Sequence, residues 1–377
     1  MTAIHSISRK CLLSSSIAAL AFAAPASINA ASAAPVVIRG AAAPTVSVYA
    51  TGFNNPRGLK FGPDGILYVA EGGPGGTNST VGQCDQVPDA GPYTGSPRGG
   101  RISKVVDGSR VTLTDRFPSS QTQPGLGSLV SGVADIAFIG NTLYALTAGS
   151  GCSHGVPNTT NGIFRVGANG APILVADLSA YQKAHPVANP NPGDFEPDGT
   201  WYSMVAVGQS LYAVEPNHGE VDKITVGGSI SRVADISASQ GHIVPTAMTF
   251  HFGTFYVGNL NTFPIVPGSS KILQVAPNGS VTTLYTGFTT VLGVAFDNLG
   301  RLYVLENTVT PGFPTPGEGD IVRVAGGHRD VIVSGLALPT AMTFGPDGAL
   351  YVSNLGFGPP PSLPNGPGMV LRIRLGS

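Results

Sequence analysis

Six near-copies of one short unit run through this chain of 377 residues, and they constrain its fold more than any other feature. Each copy is an apolar strand, a tight turn, and a second strand reading Leu-Tyr-Val or close to it, as in 56-PRGLKFGPDGILYVAE-71 and 339-PTAMTFGPDGALYVSN-354. The other copies stand at 133–149, 203–217, 245–259 and 292–307. Their tyrosines are Tyr68, Tyr144, Tyr212, Tyr256, Tyr303 and Tyr351, the last four nearly evenly spaced and the first two gaps longer. A unit of about 45 residues, with insertions in the first two copies, is the period of a β-propeller blade. Asp-Gly and Asn-Gly between the strands supply the positive φ that tight hairpins need. Further strand-like pairs follow, such as 100–106 with 110–117 and 271–276 with 281–287, which brings a blade to four strands.

The sixth copy stops one strand short, after 369-MVLRIRL-375, and 45-TVSVYATGF-53 at the other end can supply it. The expected fold is therefore all-β, a single six-bladed β-propeller over 45–377 closed by a 3+1 blade, which leaves no exposed sheet edge. No helical periodicity is visible beyond the N-terminal segment. Composition agrees. The chain holds 52 Gly and 32 Pro and only 11% charged residues, yet 42% hydrophobic ones. Low charge with intact apolar content excludes a disordered polyelectrolyte, and the density of breakers excludes a coiled coil. A formal net charge of −1 without basic clusters argues against nucleic acid as the partner.

The N-terminal segment 1–34 reads as a signal peptide with a small-residue tail. Arg9 and Lys10 precede the apolar run 11–23, and small–x–small sites follow around Ala26, Ala30 and Ala34. Cys11 follows Ser8-Arg9-Lys10, which is not a lipid-attachment setting. No later apolar run is long enough to span a membrane. The expected mature protein is secreted (extracellular or periplasmic), monomeric and without a membrane span. Export leaves Cys84 and Cys152, both in loop sequence, and an oxidising compartment favours a disulfide between them.

The long Gly- and Pro-rich connections 71–99, 148–161, 258–270, 306–319 and 353–368 follow second strands and so gather on one face, the top. Such a loop-bearing face is where binding and catalysis usually sit.

The run 54-NNPRGLKFGPDGILYVAEGGPGG-76 with a Cys in the next loop resembles the first blade of the ScyD/ScyE family. Also similar are 254-TFYVGNLNTFPIVPGSSKILQVAPNG-279, 338-LPTAMTFGPDGALYVSNLGFG-358 and 368-GMVLRIRL-375, so the resemblance covers about 45–377. It implies a secreted NHL-like propeller, associated with biosynthesis of the pigment scytonemin, and carries over no catalytic residues.

Chemistry is sought in the polar residues expected to ring the mouth of the hub. Glu71, Glu215, Asn217, Asn259, Glu306, Asn307 and Asn354 stand at or near the ends of second strands, and Arg57, Asp135 and His242 on or just before inner strands. Carboxylates and amide oxygens converging on a hub suit Ca²⁺ or another divalent cation, with Glu71, Asn259 and Glu306 as the candidate ligands. Related six-bladed lactonases hold such a metal. They carry a Glu at the start of the first inner strand, where this chain has Asn55-Pro56-Arg57-Gly58. The run 194-DFEPDG-199 resembles a calcium loop but has Val205 where a bidentate Glu is needed, and it reads as a solvated turn. The nominal G-x-S-x-G at 151-GCSHG-155 lacks the strand–turn–helix of a nucleophile elbow. His154, His185, His218, His242, His251 and His328 are scattered, most of them expected on the surface or in turns. Asn78, Asn158 and Asn278 fit the N-glycosylation pattern, which matters only in a eukaryotic secretory pathway.

Two functions remain open at this level. One is a non-catalytic binding protein that takes a small molecule, glycan or protein on the loop-rich face. The alternative is a metal-dependent hydrolase or lactonase working at the hub.

Overall fold

The computed structural model describes residues 43–126, 129–356 and 368–376. The segment 1–34, expected to be a signal peptide, and most of the loop 353–368 lie outside the described residues. Six sheets make six blades, five of them four-stranded and the first extended to six strands. The inner strands are Pro56–Phe61, Val133–Ile139, Ser203–Val207, Pro245–His251, Val291–Phe296 and Ala341–Phe344. Each inner strand adjoins those of the two neighbouring blades, and the last adjoins the first, so the ring is closed.

Closure is of the 3+1 kind. Thr45–Phe53 pairs antiparallel with Gly368–Arg374, from Thr45 opposite Arg374 to Phe53 opposite Gly368. The N-terminal strand thereby becomes the outer strand of blade 6.

The repeat tyrosine has a double role that explains its recurrence. Its ring packs edge-on against an aromatic of the next inner strand: Tyr68 on Phe138 at 5.0 Å, Tyr256 on Phe296 at 4.7 Å, Tyr303 on Phe344 at 5.2 Å and, across the closure, Tyr351 on Phe61 at 4.9 Å. Such pairs contribute about 0.5–1.5 kcal/mol each beyond their area. Its hydroxyl donates to the Asp of its own hairpin turn, Asp64, Asp297 or Asp347, at 2.9–3.2 Å. The phrase GPDGxLYV is thus a turn, a hydrogen bond and an interblade contact at once.

Two features depart from the sequence reading. The third and outer strands of blade 1, Thr94–Val106 and Ser109–Gln121, are each 13 residues long, so the expected loop 71–99 shrinks to 72–93 apart from a short strand at Asn78–Ser79. A short helix, Leu178–Ala184, interrupts the all-strand pattern. At 7 residues it is too short to show a periodicity, and its signal is the cap: Asp177 accepts from the Ala180 N–H at 2.8 Å.

Candidate functional site

The polar residues at the second-strand ends do not converge on the hub. Five of the seven, Glu71, Glu215, Asn259, Glu306 and Asn354, close their own blade by bonding the backbone that leads into that blade's inner strand. Glu71 accepts from the Asn54 N–H at 2.7 Å, Glu215 from Thr200 at 2.9 Å and Asn354 from Ala337 at 3.0 Å. Glu306 accepts from the Thr289 N–H, and Asn259 donates to the Ile243 carbonyl at 2.8 Å. Asn307 donates to the Pro339 carbonyl at 2.8 Å, which ties blade 5 to blade 6. All six of these side chains are buried. Blade 2 has Thr147 at this position, accepting from the Gly162 N–H at 3.0 Å.

The residue opposite each lock, on the third strand, sets its electrostatics. Opposite Glu71 stands Arg101, which pairs with both its carboxylate oxygens, while Ser103 donates to one of them. Opposite Glu215 stands Glu220, and opposite Glu306 stands Asp320. Burial, against the N–H groups of Thr200 and His218, pushes the Glu215 carboxyl up to about 7. Burial and the Asp320 carboxylate push Glu306 up to about 8. Glu220 is pushed up to about 7 by burial, although Arg232 pairs with it.

This disposition bears on the expected cation. Glu71 is committed to Arg101, Ser103 and Asn54. Asn259 uses its oxygen on the Lys271 N–H at 2.7 Å and its amide on Ile243. Glu306 faces another acid in its own sheet. Among the described residues no group of three or more His, Cys, Asp or Glu is placed to hold a metal ion. The donors do not form the shell of six to eight oxygens that Ca²⁺ takes.

Arg57 and Asp135 each interact near the hub with a residue the sequence did not single out, Tyr202. Arg57 is buried and donates to the Val130 carbonyl, and burial lowers the pKa of its guanidinium against a hydrogen bond with Tyr202. The Tyr202 hydroxyl donates to the Thr340 carbonyl across the bore at 2.8 Å. Tyr202 packs with Leu129, Val244, Leu260, Leu292 and Leu338 in an apolar cluster, contributed largely by segments leading into inner strands, that plugs the mouth. Asp135 is buried and bonds the Met204 N–H at 2.8 Å and the Ser203 hydroxyl at 3.3 Å, fastening blade 2 to blade 3. Burial raises its pKa, against Lys60 and these donors. Below the plug lies a cavity of about 80 Å³.

Asp135 explains the glycine within the first inner strand. A Cβ on Gly58 would stand 1.8 Å from Asp135 Oδ1. Gly58→Ala is therefore expected to destabilise the fold by about 2–3 kcal/mol, as overpacking does. A melting midpoint equal to that of the unaltered protein would contradict this packing.

The third assembly was missed by sequence reasoning. The run 194–198 is not a solvated turn: Glu196 and Asp198 are buried, and His154 and His218 are buried rather than superficial. Tyr93 donates to Glu196 at 2.8 Å, and His154 Nε2 lies 3.3 Å from the other Glu196 oxygen. Ser153 donates to Asp198 at 2.7 Å, and Lys183 pairs with Asp198 at 2.7 Å. Burial would raise the Asp198 pKa, but the bonds from Lys183 and Ser153 outweigh it and hold it low. Asn217 and His242 bond Asp194 at 2.8 and 2.7 Å, so these two candidates are drawn to this loop and not to the hub. Ser153 is fully buried and engaged, which is no position for a nucleophile. Cys84 and Cys152 form the expected disulfide, which joins the blade 1 loop to this assembly.

Farther round the same face, the loops after the second strands of blades 4 and 5 are joined by paired backbone bonds between Ile265 and Gly312 at 2.7 and 3.1 Å. They carry Phe263 and Phe313, stacked at 5.8 Å and 38% and 60% exposed.

Architecture and repeat together define the chain as a six-bladed β-propeller. Solved structures of the same fold include a protein assigned as an oxidoreductase (glucose dehydrogenase) from Thermus thermophilus, 17% identical, with a TM-score of 0.53 over 88% of this chain and 100% of that one. A gluconolactonase from Xanthomonas campestris is 13% identical, with a TM-score of 0.51 over 88% of this chain and 89% of that one. A luciferin-regenerating enzyme is 10% identical, with a TM-score of 0.50 over 88% of this chain and 95% of that one. Likeness at such identities concerns the fold alone. No protein-family model and no curated protein matches the sequence.

Proposed function

We propose that this chain is a non-catalytic binding protein, exported and of the ScyD/ScyE type, that engages a small molecule, glycan or protein with the loop-bearing face of its propeller. One observation carries this reading: the acids and amides at the second-strand ends, the candidate ligands of a hub metal, are spent on bonds within and between blades. The hub cavity of about 80 Å³ is also well below the roughly 300–1,000 Å³ of a pocket for an organic substrate. The loops, by contrast, stand on a rigid scaffold and expose the Phe263–Phe313 stack.

The competing reading is a hub hydrolase, and turnover decides between them. The mature protein is assayed on a panel of γ- and δ-lactones and activated esters, with EDTA and with added Ca²⁺. The expected result is no turnover above buffer in either condition. Chelator-sensitive turnover that Glu71→Gln or Glu306→Gln removes without loss of folding would overturn the proposal and establish the hydrolase.

A further inference from the structure

The inner strands place six register-equivalent positions around the bore. Opposite the repeat tyrosines stand Lys60, Ala137, Val205, Thr249, Ala295 and Thr343. One step nearer the mouth, Asp135 and Ser203 stand among four small residues. Lys60, Thr249, Thr343, Ser203 and Asp135 all line the central cavity. Lys60, Thr249 and Thr343, and Ser203 nearer the mouth, are half-buried, so solvent reaches the cavity.

The donors and acceptors in this cavity are unequal. Asp135 is already served, at Oδ1 by the Ile136 N–H at 2.8 Å and at Oδ2 by Met204 and Ser203. The Lys60 ammonium and the hydroxyls of Thr249 and Thr343 have no hydrogen-bond or ion-pair partner among the described residues. An ammonium carries three donors and no acceptor. A ligand that completes this set must therefore bring acceptors, and a charged acceptor gives the stronger bonds.

We infer that the bore is a binding site for a small oxyanion, held by Lys60 of blade 1 with Thr249 of blade 4 and Thr343 of blade 6. Size limits the class. A cavity needs at least about 10–15 Å³ to hold one water, so about 80 Å³ takes several water-sized groups. That is room for acetate, glycolate or phosphate. Asp135 on the same bore balances part of the Lys60 charge, which favours a carboxylate monoanion over a phosphate dianion. The three donors stand on the strands of the ring rather than on loops, so the site needs no rearrangement to form.

Calorimetric titration of acetate, and separately of inorganic phosphate, into the mature protein at pH 7 tests this, with chloride as the ionic-strength control. The expected result is saturable one-to-one binding of acetate, with phosphate weaker. Lys60→Met should reduce the affinity at least tenfold, and Thr249→Val with Thr343→Val several-fold. Both variants keep side-chain volume, and their melting midpoints report that they are folded. Phosphate binding that outlasts that of acetate but still needs Lys60 would retain the oxyanion site and overturn the monoanion preference. Absence of saturable binding to either anion, or binding indifferent to Lys60→Met, would overturn the site itself.

Discussion

Reduction of the Cys84–Cys152 disulfide, or Cys84→Ser with Cys152→Ser, will lower the melting midpoint by about 6 °C. The bond spans 68 residues of sequence, and a loop of that size restricts the unfolded chain by about 4 kcal/mol. Spread over the unfolding entropy of a chain this long, about 4 kcal/mol corresponds to that shift. The loss should concentrate on one side of the loop face. Cys152 directly precedes Ser153 and His154, which contact Asp198 and Glu196, and Thr80 donates its hydroxyl to the Cys152 carbonyl. Tyr93, at the far end of the same blade 1 loop, is the second tie to Glu196. Faster hydrogen exchange at 80–93 and 149–156, with the inner strands unchanged, is the expected pattern. A midpoint unmoved by reduction would show that the loops are held without the covalent link.

Stability will fall as pH rises from about 5 to about 8.5, which is the second large effect. Glu215 and Glu220 are raised to about 7 and Glu306 to about 8, and Asp222 and Asp320 are raised as well, in each case chiefly by burial. A carboxyl whose folded pKa lies above its unfolded value, about 4.3 for Glu, holds its proton more tightly when folded. Its stabilisation is complete below the unfolded value and is lost as pH climbs through the folded one. Other charged groups face these acids. His218, Arg232 and Asp222 surround the blade 3 pair, and Arg329 faces the blade 5 pair. Asp198, Asp297 and Asp347 are held low by their partners and act in the opposite sense, losing their contribution only as pH falls through the acid range. The optimum should therefore lie near pH 5. Glu306→Gln keeps the acceptor for the Thr289 N–H and removes the need for a shared proton. It is expected to raise the midpoint at pH 8.5 and to leave it nearly unchanged at pH 5. A midpoint flat between these values would mean that the acid pairs are relaxed in solution.

Much of the architecture was legible because it is written locally. The tyrosine recurs with the blade period, joined in blades 1, 5 and 6 by the turn Asp it bonds, and the missing strand announces the 3+1 closure. The pairing of Cys84 with Cys152 followed from there being two cysteines in the expected mature chain. The site was not legible in the same way. Glu71, Glu215 and Glu306 occupy equivalent positions and look alike in sequence, yet what each does depends on the residue across the sheet. That residue is Arg101, Glu220 or Asp320, respectively, each at a different remove along the chain. Loop length sets these separations, and no pattern encodes it. The burial of Glu196 was hidden for the same reason, because Tyr93 reaches it from 103 residues away. The hub lysine was overlooked because Lys60 sits in an ordinary repeat strand and stands out only once six registers are superposed.

The acids and amides near the hub are committed to internal bonds. A melting curve of the protein after EDTA treatment, repeated after Ca²⁺ is restored, shows whether any of them also holds a cation. A cation bound only to the folded form at 100 times its Kd adds about 2.7 kcal/mol, enough to move the midpoint of a chain this size by at least about 2 °C. Coincident curves are the expected result. A reversible gain of that size on adding Ca²⁺, abolished by Glu306→Gln, would contradict it.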